Sequence, residues 1–369
     1  MPHTKNQTLL QIVPRILPGQ CGVSDHALTL ADELQRSFQI ETVFIALNQQ
    51  NPLGGAISCK ASQLEELCNI YRERGAVSIL VHLSGYGYAA SGIPAELAKA
   101  FASIQSSRRF RSAVYFHELF ARGWPWQKAF WYSRGQRLAV RQIAESCDLA
   151  LTNIELNARW LHSEPKLRCE GVSIHPVFST IGETATPLPF AQRSQSLIVF
   201  GLSGSRQKAY RHLLQMEQTL HHLQIKKILD IGPGFVPPEN LHGIPVHRLG
   251  QIPSQQVAEH IAHARFGFVP HEPRCIAKSS IFAAYCAYGT IPLLMEPFST
   301  RIDQLQDGLN VISMKSASLM DTAAVIRCGQ KAFEWYSGHN LYSQAAFYAQ
   351  WMRHDQKNCP EKDLSLALN

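Results

Sequence analysis

Short apolar runs rich in β-branched residues alternate with helix-period segments along nearly the whole chain, and after one polar break the alternation starts again. Leu9 to Val13, Thr42 to Leu47, Ser78 to Leu83, Ala113 to Phe116, Leu149 to Thr152 and Val172 to Ile174 read as six strands. Between the first two, Ser24 to Phe38 sets Ala27, Leu30, Ala31, Leu34 and Phe38 on one helical face, with Ser24 as N-cap and Asp25 favourable in the first turn. Gln63 to Arg72, Pro94 to Ile104 and Arg134 to Ser146 fit helices as well. Strands that are apolar at every position must be covered on both faces, which is the condition of a parallel sheet wrapped by helices.

Pro176 to Ser194 is rich in Pro, Thr, Ser and Gly and breaks the pattern. The second series then runs strand Leu197 to Gly201, helix Tyr210 to His222, strands Ile228 to Ile231 and Val246 to Leu249, and helix Ser254 to His263. It continues with strand Phe266 to Val269, helix Ser279 to Tyr288, strand Ile291 to Met295 and a helical tail from Thr322 onward. The expected fold is α/β: two doubly wound Rossmann-like domains facing a cleft. The expected spans are 1–180 for the first domain, 181–195 for the linker, 196–335 for the second domain and 336–369 for the tail. In such domains ligands bind outside the carboxyl ends of the strands.

The length of 369 residues fits two domains, and 45% hydrophobic residues suffice for two cores. Lys and Arg number 35 against 28 Asp and Glu, a formal charge of +7 that favours anionic partners. The cations are scattered, with no basic tract of the kind that tracks nucleic acid, so phosphorylated substrates and an anionic membrane surface are the expected classes and nucleic acid is not. The nine cysteines are odd in number and hold no Cys-x-x-Cys pair, so neither a disulfide framework nor a zinc ribbon is indicated. The start of the chain lacks a signal core, and no run approaches a membrane span. A cytoplasmic protein with peripheral membrane contact left open is the expectation.

Several chemistries are excluded by spacing. Gly232-Pro233-Gly234 lacks the third glycine of a dinucleotide fingerprint, and Gly201 to Lys208 is neither a P-loop nor a nucleophile elbow. His117-Glu118 lacks the second histidine of a zinc protease helix, and no Asp-x-Asp is present to hold a divalent metal against a diphosphate. No metal and no cofactor are therefore expected. What survives is Val199 to Lys208, a strand running into Gly201, Gly204 and Ser205 with Arg206 and Lys208 just beyond. Glycines let backbone amides approach an anion, and the cations neutralise it. A second anion site is expected at His271, Glu272, Lys278, Ser279 and Ser280, ahead of a helix that stops at Gly289. In the first half His117 and Glu118 close a strand. Aromatics follow at Trp124, Trp126 and Phe130 to Tyr132, suited to sugar stacking, a membrane interface or core packing. Ser84-Gly85-Tyr86-Gly87-Tyr88 closes another strand.

Together these residues resemble a bacterial GT-B glycosyltransferase of the family 4 type over about Leu10 to Phe347. Pro18-Gly19-Gln20-Cys21-Gly22-Val23-Ser24-Asp25-His26-Ala27 is similar to that family's Gly-Val-x-Asp-Tyr-Ala opening. Val81 to Tyr88 and Phe116 to Phe120 resemble stretches of a bacterial subgroup, and Ser146 to Asn153 the last strand before the linker. Phe200 to Lys208 resembles the donor diphosphate loop, Ile231 to Gly234 the Gly-x-Gly strand end, and Gly289-Thr290-Ile291-Pro292 the Gly-Thr-Pro segment. The family's two glutamates, eight positions apart before this Gly-Thr, are absent. Ala284 and Ile276 occupy their places, leaving Glu272 and Lys278 as substitutes.

The resemblance implies metal-independent, retaining transfer of a sugar from a nucleotide diphosphate sugar to a glycan or lipid-linked acceptor, in surface polysaccharide or glycolipid synthesis. It places the donor on Gly22, Gly201, Ser205, Arg206, Lys208, Gly232, Gly234, His271, Glu272, Lys278, Ser279 and Ser280. The acceptor is expected on Asp25, Tyr86, Tyr88, Trp124 and Trp126, with His117 and Glu118 catalytic. A noncatalytic nucleotide-sugar binder and a nucleotide-sugar epimerase are the alternatives.

Overall fold

A computed structural model describes residues 7–17, 21–75, 78–168 and 171–353. By its internal contacts the chain divides into two units. The first is Met1–His175 with Tyr342–Asn369, and the second is Pro176–Leu341.

The first unit is built on β1 (Thr8–Val13), β2 (Glu41–Ala46), β3 (Ile57–Ser58), β4 (Ser78–Leu83), β5 (Arg111–Phe116), β6 (Leu149–Thr152) and β7 (Val172–Ile174). The order across the sheet is β3-β2-β1-β4-β5-β6-β7, and every pairing is parallel. The order reverses between β1 and β4, the switch point at which open α/β sheets bind ligands. Every residue of β4 is buried, as the apolar runs require. On one face Leu10, Ile12, Ile79, Val81 and Val114 pack against Leu97, Phe101, Val140 and Ile143 of the helices Ala95–Ser106 and Lys128–Ser146. Burying each such side chain contributes about 1.5–3 kcal/mol. Helix Gly22–Phe38 buries Ala27, Leu30, Ala31 and Leu34. Its cap differs from expectation: the helix begins at Gly22, and the buried Ser24 hydroxyl instead accepts from the Leu17 amide at 2.9 Å. The helix Leu341–Arg353 returns the chain to this unit, with Phe347 against His175, Trp351 under Arg111 and Tyr342 against Phe38.

The second unit repeats the plan with β8 (Ser194–Phe200), β9 (Lys227–Ile231), β10 (Asn240–Leu241), β11 (Ile244–Gly250), β12 (Ala264–Val269), β13 (Ile291–Leu294) and β14 (Ile312–Ser313). The order is β10-β11-β9-β8-β12-β13-β14, parallel throughout except for β10 with β11. Here the order reverses between β8 and β12. Two parallel sheets in one chain were legible from the doubled alternation, whereas the two-residue strands β3, β10 and β14 are too short to show a pattern.

One boundary shift matters for function. In place of a single helix from Tyr210 to His222 there are two, Ser203–Leu213 and Glu217–His222. The first starts almost directly after β8, so Arg206 and Lys208 stand on a helix and not in a loop. The Pro176 to Ser194 stretch is held to the second unit: the Val177 amide donates to the Ala277 carbonyl and the Ser179 amide to the Tyr336 hydroxyl. Arg193 there reaches the carbonyls of Leu188, Ala264 and Tyr288. Residues 354–369 of the expected tail lie outside the described residues.

Candidate functional site

In the second unit the carboxyl end of β8 turns on Gly201, at φ 136°, and that of β9 turns on Gly232, at φ 142°. These left-handed conformations favour glycine, and at Gly232 space demands it too. A Cβ there would stand 2.0 Å from the Gly201 carbonyl oxygen and 2.9 Å from Arg206 Nε. Two glycine turns are thereby pressed together, with Arg206 behind them.

Arg206 does not present its charge to a ligand, contrary to expectation. Its side chain is fully buried and ion-paired with the equally buried Asp230 of β9. It donates further to the carbonyls of Gly201 at 3.1 Å, Pro233 at 2.5 Å and Phe235 at 3.3 Å. Burial without water demands that the guanidinium donors be answered, and this carboxylate and these carbonyls answer them. Arg206 is the bolt that fixes the loops. Two cations nearer the surface are Lys208, half-buried on the same helix, and Lys278, half-buried at the end of the short helix Pro273–Lys278.

His271 connects them. It follows β12, its Nδ1 lies 3.1 Å from the Ser279 hydroxyl, and its pKa is pushed down to about 4 by burial and by the positive charges of Lys208 and Lys278. Both lysines therefore lie within electrostatic reach of His271, which follows β12. Ser279 also caps helix Ser280–Ala287, accepting from the Phe282 amide at 3.2 Å. Glu272 is exposed just after β12. Ser205 and Gly234 border the same loops, with Gly234 at φ 80°. Ala284 and Ile276, at the places of the missing glutamates, are buried in the core.

In the first unit the carboxyl ends of β4 and β5 gather histidines. His82 of β4 is fully buried, His117 just after β5 is 7% exposed, and His26 of helix Gly22–Phe38 is 1% exposed. His82 Nε2 meets Gln11 Oε1 of β1 at 2.8 Å, and His82 Nδ1 meets His117 Nε2 at 3.1 Å. Because the amide oxygen accepts, Nε2 of His82 carries the hydrogen and Nδ1 carries the lone pair. Burial pushes the pKa of His82 down to about 3 and that of His26 well below the ordinary value, so both are neutral at pH 7. Glu118 is exposed and accepts from the Ser84 hydroxyl at 3.4 Å. Sequence reasoning had singled out only His117 of this trio. Its partners were missed because His82 and His117 are 35 positions apart and meet only through the pairing of β4 with β5.

The expected acceptor residues separate. Tyr88 is a core residue, its hydroxyl shared between the carbonyls of Ile12 and His82 at 3.2 and 3.0 Å, which corrects its assignment to an acceptor. Tyr86 is 47% exposed. Gly22 and Asp25 open the first helix, while Pro18 to Gln20 of the same motif lie outside the described residues. Trp124 and Trp126 are 65% and 77% exposed and stack with ring centroids 5.3 Å apart. No described helix is long and apolar enough to cross a membrane.

No protein-family model and no curated protein matches the chain. Solved structures do. The chain is similar to TarM at 7% identity and a TM-score of 0.59, covering 94% of this chain and 99% of that one. It is similar to WaaG, a glycosyltransferase involved in lipopolysaccharide biosynthesis, at 12% identity and 0.56, covering 94% and 100%. An alpha-glucosyltransferase in complex with UDP-glucose and DNA containing an abasic site aligns at 13% identity and 0.55, covering 94% and 98%. At these identities the likeness is one of fold: the two-unit α/β architecture of GT-B glycosyltransferases.

Proposed function

We propose that the protein is a glycosyltransferase that binds a nucleotide diphosphate sugar on its second unit and an acceptor on its first. The observation that carries this reading is the placement of Lys208, on the helix that follows β8, and of Lys278, next to the Ser279 that meets His271 after β12, beside the two glycine turns that end β8 and β9 at the switch point of the sheet. Leaving-group charge develops on the departing diphosphate, and fixed cations with backbone amides stabilise it in a sequence that has no Asp-x-Asp to hold a metal there. Arg206 acts at one remove by holding the turns, and Ser205, Gly234, Ser280 and Glu272 complete the donor side. On the first unit His117 and Glu118 are the groups for the acceptor, Glu118 as base. The fold likeness to structures that include a UDP-glucose complex supports the reading.

A lipid-linked acceptor fits best. From Leu119 to Ala144 the chain has five cations, Arg122, Lys128, Arg134, Arg137 and Arg141, and no acidic residue. The same stretch exposes Trp124, Trp126, Phe130, Trp131, Tyr132 and Leu138. Amphipathic aromatics among cations suit the headgroup region of an anionic bilayer. Binding to vesicles with anionic lipid should fall on W124A/W126A and vanish on neutral lipid. Equal binding to both vesicle types would remove this element.

The deciding experiment is calorimetry with UDP, ADP and GDP, followed by their glucose conjugates. One nucleoside diphosphate should bind, and K208A and K278A should weaken it without loss of fold. Absence of any nucleoside diphosphate binding sinks the proposal. The buried Ala284 and Ile276 favour one second reading, a noncatalytic nucleotide-sugar binder. That protein would bind the donor with no sugar transferred across a panel of lipid and glycan acceptors.

A further inference from the structure

The histidine trio of the first unit has chemistry beyond the acceptor role that the transferase reading gives to His117, and the inference about it rests on its own geometry. His26, His82 and His117 each offer one ring nitrogen, and the three nitrogens all lie within 4.8 Å of one another. They come from a helix, from strand β4 and from the residue that directly follows the adjacent parallel strand β5, so rigid elements hold or flank all three. Nitrogens bound at 2.0–2.1 Å to a tetrahedral zinc ion are about 3.3 Å apart, and His82 Nδ1 and His117 Nε2 are already 3.1 Å apart. The remaining nitrogen of His82 is held by Gln11 Oε1, the outer hydrogen bond that orients a metal-ligating imidazole. Gln11 is itself fully buried, so this support is set within the sheet.

We propose that His26, His82 and His117 form a three-histidine site for a divalent transition-metal ion, zinc foremost. Imidazole donors with no carboxylate among them select zinc and its late first-row neighbours over magnesium and calcium. In the metal-free protein His117 Nε2–H donates to His82 Nδ1. On binding, that proton moves to Nδ1 of His117 and both facing nitrogens turn lone pairs to the ion, so no proton leaves the site. Three neutral ligands leave the ion its double charge, so the fourth position takes water, hydroxide or an anionic oxygen from a ligand. With the ion bound, His117 acts on that ligand through the metal. The site belongs to the first unit alone.

The test uses the full chain without a histidine tag, stripped of metal by chelator and then titrated with Co²⁺ and Zn²⁺. Expected are one ion per chain, visible bands of tetrahedral cobalt, and displacement of cobalt by zinc. His26→Ala and His82→Ala should each abolish the bands, and Gln11→Leu should weaken binding about 10- to 100-fold. Absence of the cobalt bands from folded wild-type protein overturns the proposal, as do bands that persist in both histidine variants. Nucleoside diphosphate binding by the same preparations is a separate readout, so failure of this site and failure of the transferase reading are told apart.

Discussion

The carboxyl edges of the two sheets follow one topological plan and carry opposite chemistry. At the edge of β8, β9 and β12 the backbone is the working material. Gly201 and Gly232 turn at positive φ, Arg206 is consumed in holding them, and the outward charge comes from Lys208 and Lys278. At the edge of β1, β4 and β5 side chains do the work. His82, His117 and His26 are buried with their rings in contact, His82 and His26 are held neutral by burial, and buried Gln11 ties His82 to β1. A parallel sheet thus supplies a place for a ligand without choosing its kind. The choice rests on whether the strand ends carry glycines, which expose amides and admit cations, or imidazoles, which pack into the core and keep lone pairs there.

The comparison breaks hardest at Asp230. Replacing it with alanine leaves Arg206 buried without its counter-charge, and should cost about 3–5 kcal/mol. Denaturant unfolding should show this loss and nucleotide binding should weaken with it. An unchanged midpoint would mean that the guanidinium is not the bolt of the second edge.

Acid should strike both edges through their histidines. The folded pKa is about 3 for His82 and about 4 for His271, both below the ordinary histidine value, so the unfolded chain binds more protons. Stability should therefore be level above about pH 6.5 and fall as pH drops toward 4, by up to about 1.4 kcal/mol per pH unit for each histidine. Unfolding at stepped pH reads the slope, and H82N should flatten it. A stability that rises on acidification would contradict the burial of these rings.

At the second edge alone, K208A and K278A should each weaken nucleoside diphosphate binding about tenfold, or about 1.4 kcal/mol. Each should also raise the pKa of His271 toward its ordinary value by removing a positive neighbour. NMR titration of His271 gives the second number independently of any ligand. If neither variant moves it, the two lysines do not converge. The smallest contrast lies within one short segment. Tyr88→Phe removes a hydroxyl that serves two carbonyls and should lower stability by about 1 kcal/mol, whereas Tyr86→Ala, on an exposed ring, should leave the melting temperature unchanged.

Sequence alone determined the architecture. Apolar runs separated by helix-period segments, given twice, require two helix-covered parallel sheets, because an apolar strand cannot leave either face in water. Gly201 and Gly232 were legible for the same local reason, since a strand end that must turn at positive φ favours glycine. Tertiary structure decided what the charged and titratable residues do. Arg206 reads as a surface cation until β9 brings Asp230 beneath it, and His82 reads as one more strand residue until β1 and β5 close on either side with Gln11 and His117. A local period reports which face is buried. It does not report which distant strand arrives there, and burial beside a partner is what turns a cation into a bolt and an imidazole into a ligand.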